Sequence, residues 1–256
     1  MSTGLELKDV TIRFGGLKAV GDLCFSVAPG ELVGLIGPNG AGKTTIFNLI
    51  TGVYTPTAGQ IHFNGVSVSG KKPHEITKLG IARTFQNIRL FSSLSVLDNV
   101  RAAMLTHLKR GILHSLTRGP VFHHEEEAIE KEALELLDIF GLADARDKEA
   151  KSMNYGDQRR LEIVRALATK PQLLLLDEPA AGMNPSEKED LMHLINFIKE
   201  RYNLAVLLVE HDMKVVMGIC KRIAVVEYGI KIAEGTPKEI QTNPKVIEAY
   251  LGASAV

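Results

Sequence analysis

From Leu5 to Val27 apolar and polar residues alternate: Val10, Ile12 and Phe14 share one face, Gly15-Gly16 interrupts, and Leu23, Phe25 and Val27 resume the pattern. A period of two belongs to half-buried strands, so this stretch predicts antiparallel sheet. The unbroken apolar run Leu32-Val33-Gly34-Leu35-Ile36 reads as a buried strand, and Ile46-Phe47-Asn48-Leu49-Ile50 as a helix, with a glycine-rich stretch between them. Gln60-Ile61-His62-Phe63 before Asn64-Gly65 predicts a hairpin that continues the small sheet. From about Asn87 to Met153 strand signals fade. Leu94, Leu97 and Met104 fall at helical spacing, and from His124 to Phe140 the residues Ile129, Ala133, Leu136 and Phe140 share a face, with Glu125, Glu126 and Glu127 near its start. This predicts a helical lobe. Asp157 to Thr169 is again helical and ends at Lys170-Pro171. Leu173 to Leu176, Ala205 to Val209 and Ile223 to Val226 then form apolar runs, with a helical stretch from Glu187 to Tyr202 after the first. Such runs are strands buried on both faces of a mostly parallel sheet. Tyr228-Gly229 turns the chain back through Ile230 and Ile232, and Pro244 to Leu251 predicts a closing helix. The fold class is α/β, a mostly parallel sheet with an antiparallel β subdomain and a helical lobe.

Composition changes little in this picture but excludes several functions. Thirty basic and thirty acidic residues balance to a net charge of +0, so no overall electrostatic case for nucleic acid exists. No apolar stretch approaches bilayer length and the N-terminus lacks the features of a signal peptide, which predicts a cytosolic protein. Cys24 and Cys220 have no metal-ligand spacing. Between His107 and Arg118, the bases Lys109, Arg110 and Arg118 lie among apolar residues. They read as a helix or loop packed on the lobe, with a membrane-surface segment as the alternative. His123-His124 reads as a solvated pair, because adjacent helical residues point in different directions. There is no internal repeat.

Candidate chemistry concentrates between the first buried strand and helix, in Gly37-Pro38-Asn39-Gly40-Ala41-Gly42-Lys43-Thr44-Thr45. All fixed positions of a P-loop are present. Its glycines let successive N–H groups aim at one phosphate, the helix dipole adds to them, Lys43 reaches the β- and γ-phosphates, and Thr44 offers a hydroxyl to Mg²⁺. Ligands of open α/β sheets bind at the carboxyl ends of strands. Asp177 ends the leucine strand and suits Mg²⁺; Glu178 follows as a general base; His211, just past the Val209 strand, can donate to phosphate or water. Gln86 in Arg83-Thr84-Phe85-Gln86-Asn87 can contact both water and metal without changing the charge. Phe14, beside Gly15-Gly16, reads as a core residue or as a plate for adenine.

Together these residues resemble the ATP-binding-cassette family over essentially the whole chain. In that resemblance Phe14 is the adenine-stacking aromatic, Gly37 to Thr45 Walker A, Gln86 the Q-loop glutamine and metal contact, Leu173 to Asp177 Walker B, Glu178 the catalytic glutamate and His211 the switch histidine. It implies a P-loop NTPase core, ATP and Mg²⁺ as cofactors, and one cassette spanning 1–256, with a catalytic and β lobe at about 1–86 and 159–256 and a helical lobe at 87–158. It also implies a dimer in which each chain's signature loop completes its partner's ATP site. Here that loop departs from the usual LSGGQ: it runs Met153-Asn154-Tyr155-Gly156-Asp157, so the Asn154 amide replaces a serine hydroxyl as donor and Asp157 adds negative charge. Asn184 stands where aspartate is common in the D-loop. The segment Arg83 to Phe91, Tyr155-Gly156 and the ending from Ile240 to Gly252 are similar to the larger ATPase of importers for branched-chain amino acids. The implied partners are a second ATPase chain, identical or different, two transmembrane permease subunits and, indirectly, a periplasmic or extracellular substrate-binding protein. The implied location is the cytoplasmic side of the membrane, with no nucleic acid bound. An exporter ATPase, for instance for a lipid, and a soluble non-transport cassette are the alternatives.

Overall fold

The computed structural model describes residues 4–107 and 120–252. They fall into two units, Met1–Gln86 with Gln172–Val256, and Asn87–Pro171. In the first, β1 (Leu5–Phe14) and β2 (Leu17–Val27) form the expected antiparallel pair. β4 (Ala58–Phe63) pairs with β1 on the other side and turns at Asn64-Gly65 into β5 (Val66–Ser67). Both turn residues have positive φ, 51° and 78°, as a two-residue hairpin requires.

The second sheet of this unit has the order β10-β9-β3-β8-β7-β6. Its parallel members are β3 (Leu32–Ile36), β6 (Ile81–Arg83), β7 (Leu173–Asp177), β8 (Ala205–Val209) and β9 (Arg222–Glu227); β10 (Ile230–Gly235) is antiparallel. Alternate strand residues such as Val33, Leu35, Leu173, Leu175, Leu207 and Val226 join α1 (Lys43–Ile50) and the inner face of the antiparallel sheet in one core. On the opposite face, a Cβ on Gly34 would sit 3.1 Å from the Cys220 sulfur and 3.2 Å from Val216, so α7 (Met213–Ile219) and the residue that ends it lie close against the strand. With both faces covered, β3 and β8 carry no polar side chain and β7 carries none before Asp177. Cys220 is a free thiol whose pKa burial pushes up to about 12. The pattern did not predict β6, which is only three residues long, or the short α2 (Pro73–Lys78) before it.

In the second unit α3 (Val96–Met104) packs against both α4 (Pro120–Ile139) and α5 (Tyr155–Ala168), around Val100, Ala133, Leu137, Leu161 and Val164. Two expectations are corrected here. The division between lobes, placed at 158, lies at 171, because α5 is built into the helical unit by this packing. Leu94 is not on the helical face: Ser95 caps α3 by accepting from the Asp98 N–H at 3.0 Å, which leaves Leu94 exposed ahead of it. The buried Asn99 amide holds this lead-in, accepting from Phe91 N at 2.9 Å and donating to Phe91 O at 3.0 Å. The basic segment with Lys109, Arg110 and Arg118 and the side chains of His123 and His124 lie outside the described residues. Three helices complete the first unit: α6 (Pro185–Arg201), α8 (Pro237–Gln241) and α9 (Pro244–Gly252).

Candidate active site

The loop from Gly37 to Gly42 joins β3 to α1 in a conformation that needs glycine. Gly37 and Gly42 have φ of 156° and 99°, and a Cβ on Gly37 would lie 2.0 Å from the Val226 carbonyl. Gly42 is the N-cap of α1 and supplies no side-chain cap, and no acid stands in the first turn, so the helix presents its N-terminal N–H groups to an anion. The Gly229 N–H at the β9–β10 turn braces the loop through the Ala41 carbonyl at 2.9 Å. Burial pushes the pKa of Tyr250 on α9 up, against its hydrogen bond to the Gly37 backbone. Lys43 is buried, its ammonium donating to the Gly37 and Pro38 carbonyls at 2.6 and 2.9 Å. Burial lowers its pKa, and the nearby Glu178 and Asp177 work in the opposite direction. Thr44 is exposed and Thr45 half-buried. Phe14 ends β1 with 44% of its surface exposed and its ring edge-on to Tyr54, 5.1 Å away, so the core reading of this residue is set aside.

At the strand ends of the same unit, Glu178 follows β7 in a left-handed conformation, φ 50°. Its N–H extends the ladder to the Val209 carbonyl at 2.8 Å. One carboxylate oxygen accepts from Gln86 Nε2 at 3.0 Å, and the other meets His211 Nε2 at 2.6 Å. A carboxylate only accepts, so the contact is a hydrogen bond from His211 when its Nε2 carries a proton. The three residues selected separately along the sequence therefore share one cluster. Asp177 is buried and paired with Arg83 Nη2 at 2.8 Å, while Arg83 Nη1 donates to Asn48 on α1 at 2.6 Å. The guanidinium lies over the rings of Phe47 and Phe85, at 5.2 and 5.0 Å.

In the helical unit Asn154 is the N-cap of α5. Its Oδ1 accepts from the Asp157 N–H at 2.9 Å, and its amide donates to the Asp157 carboxylate at 2.8 Å. The donor expected to face a phosphate is thus engaged within its own loop. Tyr155 is exposed at the first helical position, its hydroxyl accepting from Arg159 at 3.1 Å, and Gly156 follows it. The buried Arg159–Glu162 pair, at 3.0 Å, continues to the Arg89 N–H at 3.3 Å. Back in the first unit, Asn184 caps α6 in a reciprocal box with Glu187, at 3.0 and 2.8 Å.

Residues 20–181 match a family model described as ABC transporter. The chain belongs to the ABC transporter family of ATPases. BraF of Pseudomonas aeruginosa, a high-affinity branched-chain amino acid transport ATP-binding protein, is 45% identical over 248 residues, 97% of each chain. A model described as branched-chain amino acid ATP-binding cassette transporter matches residues 231–256. Among solved structures, an ATP-binding cassette of an ABC transporter in its ADP conformation has a TM-score of 0.84 at 32% identity, covering 98% of this chain and 99% of that one. A dimeric cassette in a post-hydrolysis state with ADP and Pi has a TM-score of 0.77 at 26% identity, covering 91% and 98%. As an ABC ATPase the chain uses ATP.

Sequence reasoning on this ABC ATPase missed Arg83 and Asn48, which hold Asp177 and α1, and Glu210, which lies buried behind His211. A signal existed for two of them. Arg83 ends an apolar strand and Glu210 follows one, and a charge at such a position has to find a partner.

Proposed function

We propose that this chain is the ATP-hydrolysing subunit of a membrane importer for branched-chain amino acids, peripheral on the cytoplasmic face. Its partners are a second ABC ATPase, two transmembrane permease subunits and, through these, an external substrate-binding protein. The observation that carries hydrolysis is the Glu178 carboxylate held between Gln86 and His211 at a strand end of the unit that bears the P-loop. The likeness to BraF and the match over residues 231–256 support the substrate, and favour an importer over an exporter or a soluble cassette. Among the described residues no helix is long and apolar enough to cross a membrane, and in this reading the transported molecule passes through the permease subunits.

In this reading adenine stacks on Phe14, and the backbone from Gly37 to Thr45 with the Lys43 ammonium binds the β- and γ-phosphates. Thr44, Asp177 and Gln86 would hold Mg²⁺. They supply the hard oxygen donors it takes, and the carboxylate of Asp177 is already fixed by Arg83. When bound there, the metal would neutralise developing charge on the phosphates. Glu178 accepts a proton from the attacking water, and Gln86 and His211 fix the direction of its lone pairs. The loop from Asn154 to Asp157 faces the ATP bound to the partner. Capture of the tagged chain from gently solubilised native membranes tests the assembly. Two different membrane subunits and a second, smaller ATPase are expected. A single permease pair with this ATPase alone, or ribosomal or DNA-repair proteins, would overturn the importer assignment.

A further inference from the structure

The ladder between β7 and β8 ends where the chemistry begins. Asp177 pairs with Val209, and the last backbone bond runs from Glu178 N to Val209 O at 2.8 Å. Beyond it the two chains separate into loops, one leading through Ala180 to α6 and the other through His211 to α7. A side chain closes the gap. Glu210, only 4% exposed, accepts from the Ala180 N–H with Oε1 at 2.6 Å and from the His211 N–H with Oε2 at 3.0 Å, the Asp212 N–H lying 3.4 Å from the same oxygen. One carboxylate therefore fixes the loop that carries Glu178 to the loop that carries His211. The far side of the second loop is held by Asp212, which accepts from Lys188 of α6 at 2.7 Å.

We infer that Glu210 is a positioning residue for hydrolysis, setting the Glu178–His211 geometry by bridging the D-loop and the switch loop. This rests on the assignment of Glu178 as the base and deepens it. Only an acceptor at both oxygens serves here. Burial raises the pKa of Glu210, and the Glu178 charge adds to this, while the N–H groups of Ala180, Asp212 and His211 oppose it. Hydrophobic filling of the space would leave those donors unpaired, the buried Ala180 N–H among them, and an amide would turn an NH₂ toward one of them. Neither change touches the P-loop, so nucleotide affinity is separate from the effect.

The test is Glu210→Gln in the full-length chain, with Glu178→Gln alongside. A loop displaced by a fraction of an ångström to 1 Å lowers kcat by about 10- to 100-fold. Expected for Glu210→Gln are a loss of that size with KM for ATP and nucleotide binding unchanged, and a shifted His211 imidazole resonance in the nucleotide-free protein. Glu210→Asp keeps the charge but, one methylene shorter, reaches its own loop and not Ala180. It is expected to show the same loss, and it carries the test should the amide variant fail to fold. Wild-type kcat and an unmoved His211 resonance in either folded variant, with Glu178→Gln inactive, would overturn the role of Glu210 alone. Normal turnover by Glu178→Gln would overturn the underlying assignment, and this inference with it.

Discussion

Glu178, Gln86 and His211 illustrate how little a single side chain means until its neighbours are placed. Each is an ordinary polar residue in the sequence, and the cluster appears only when β6, β7 and β8 bring their ends together. Replacing Glu178 by Gln keeps the volume and removes the proposed base, so ATP turnover is expected to fall by about 10²- to 10⁴-fold with ATP still bound, as single-turnover assays would show. Lys43→Ala should instead abolish high-affinity nucleotide binding in a calorimetric titration, because the ammonium is the one side-chain charge the loop itself brings to the phosphates. Arg83 acts on stability. Its pair with Asp177 is buried on both sides, and Arg83→Gln leaves a carboxylate without its counter-charge, a loss of about 3–5 kcal/mol measurable by denaturant unfolding.

At the scale of elements, caps and edge contacts decide where segments stop and how they meet. Asn154 starts α5, and Asn154→Ala should cost about 1 kcal/mol through the lost cap while also freeing the Asp157 carboxylate to face solvent. Arg222, at the start of β9, joins Glu31 before β3, at 2.7 Å, to Glu234 of β10, and its other nitrogen reaches the Ser26 carbonyl of β2. Burial raises the pKa of both carboxyls, but hydrogen bonds and the positive charge of Arg222, with the Ala28 N–H for Glu31 and Lys231 for Glu234, outweigh it and hold both below their usual 4.5. A lowered folded-state pKa means stability present above the ordinary value and lost as pH falls through the folded one. The melting temperature should therefore decline as pH drops below about 4.5, and Arg222→Leu should flatten that part of the profile. Because these groups are partly exposed, the effect is modest.

For the whole molecule, the proposed catalytic groups and the signature loop belong to different units, and the signature loop serves the partner's nucleotide in the proposed dimer. Its donor amide is occupied by Asp157, whose carboxylate would lie near the partner's phosphate in that dimer. In a heterodimer whose other ATPase has an unaltered signature, the site built on this chain's P-loop should hydrolyse faster. Single-site variants of the assembled complex would measure the two rates, and the reverse ranking would refute the asymmetry. The sequence by itself determined β3, β7, β8 and β9 of the parallel sheet, the P-loop and the acids at the end of the leucine strand, because apolar runs and glycine-rich turns are local signals with local physical causes. It also singled out Gln86 and His211, which the structure brings onto the Glu178 carboxylate. Only the tertiary structure decided that Arg83 would pair with Asp177, that Glu210 would bridge two loops, that β6 would complete the sheet edge and that α5 belongs to the helical unit. Those depend on contacts between residues up to about ninety positions apart, where long-range packing and the need of buried charges for partners, not local pattern, set the outcome.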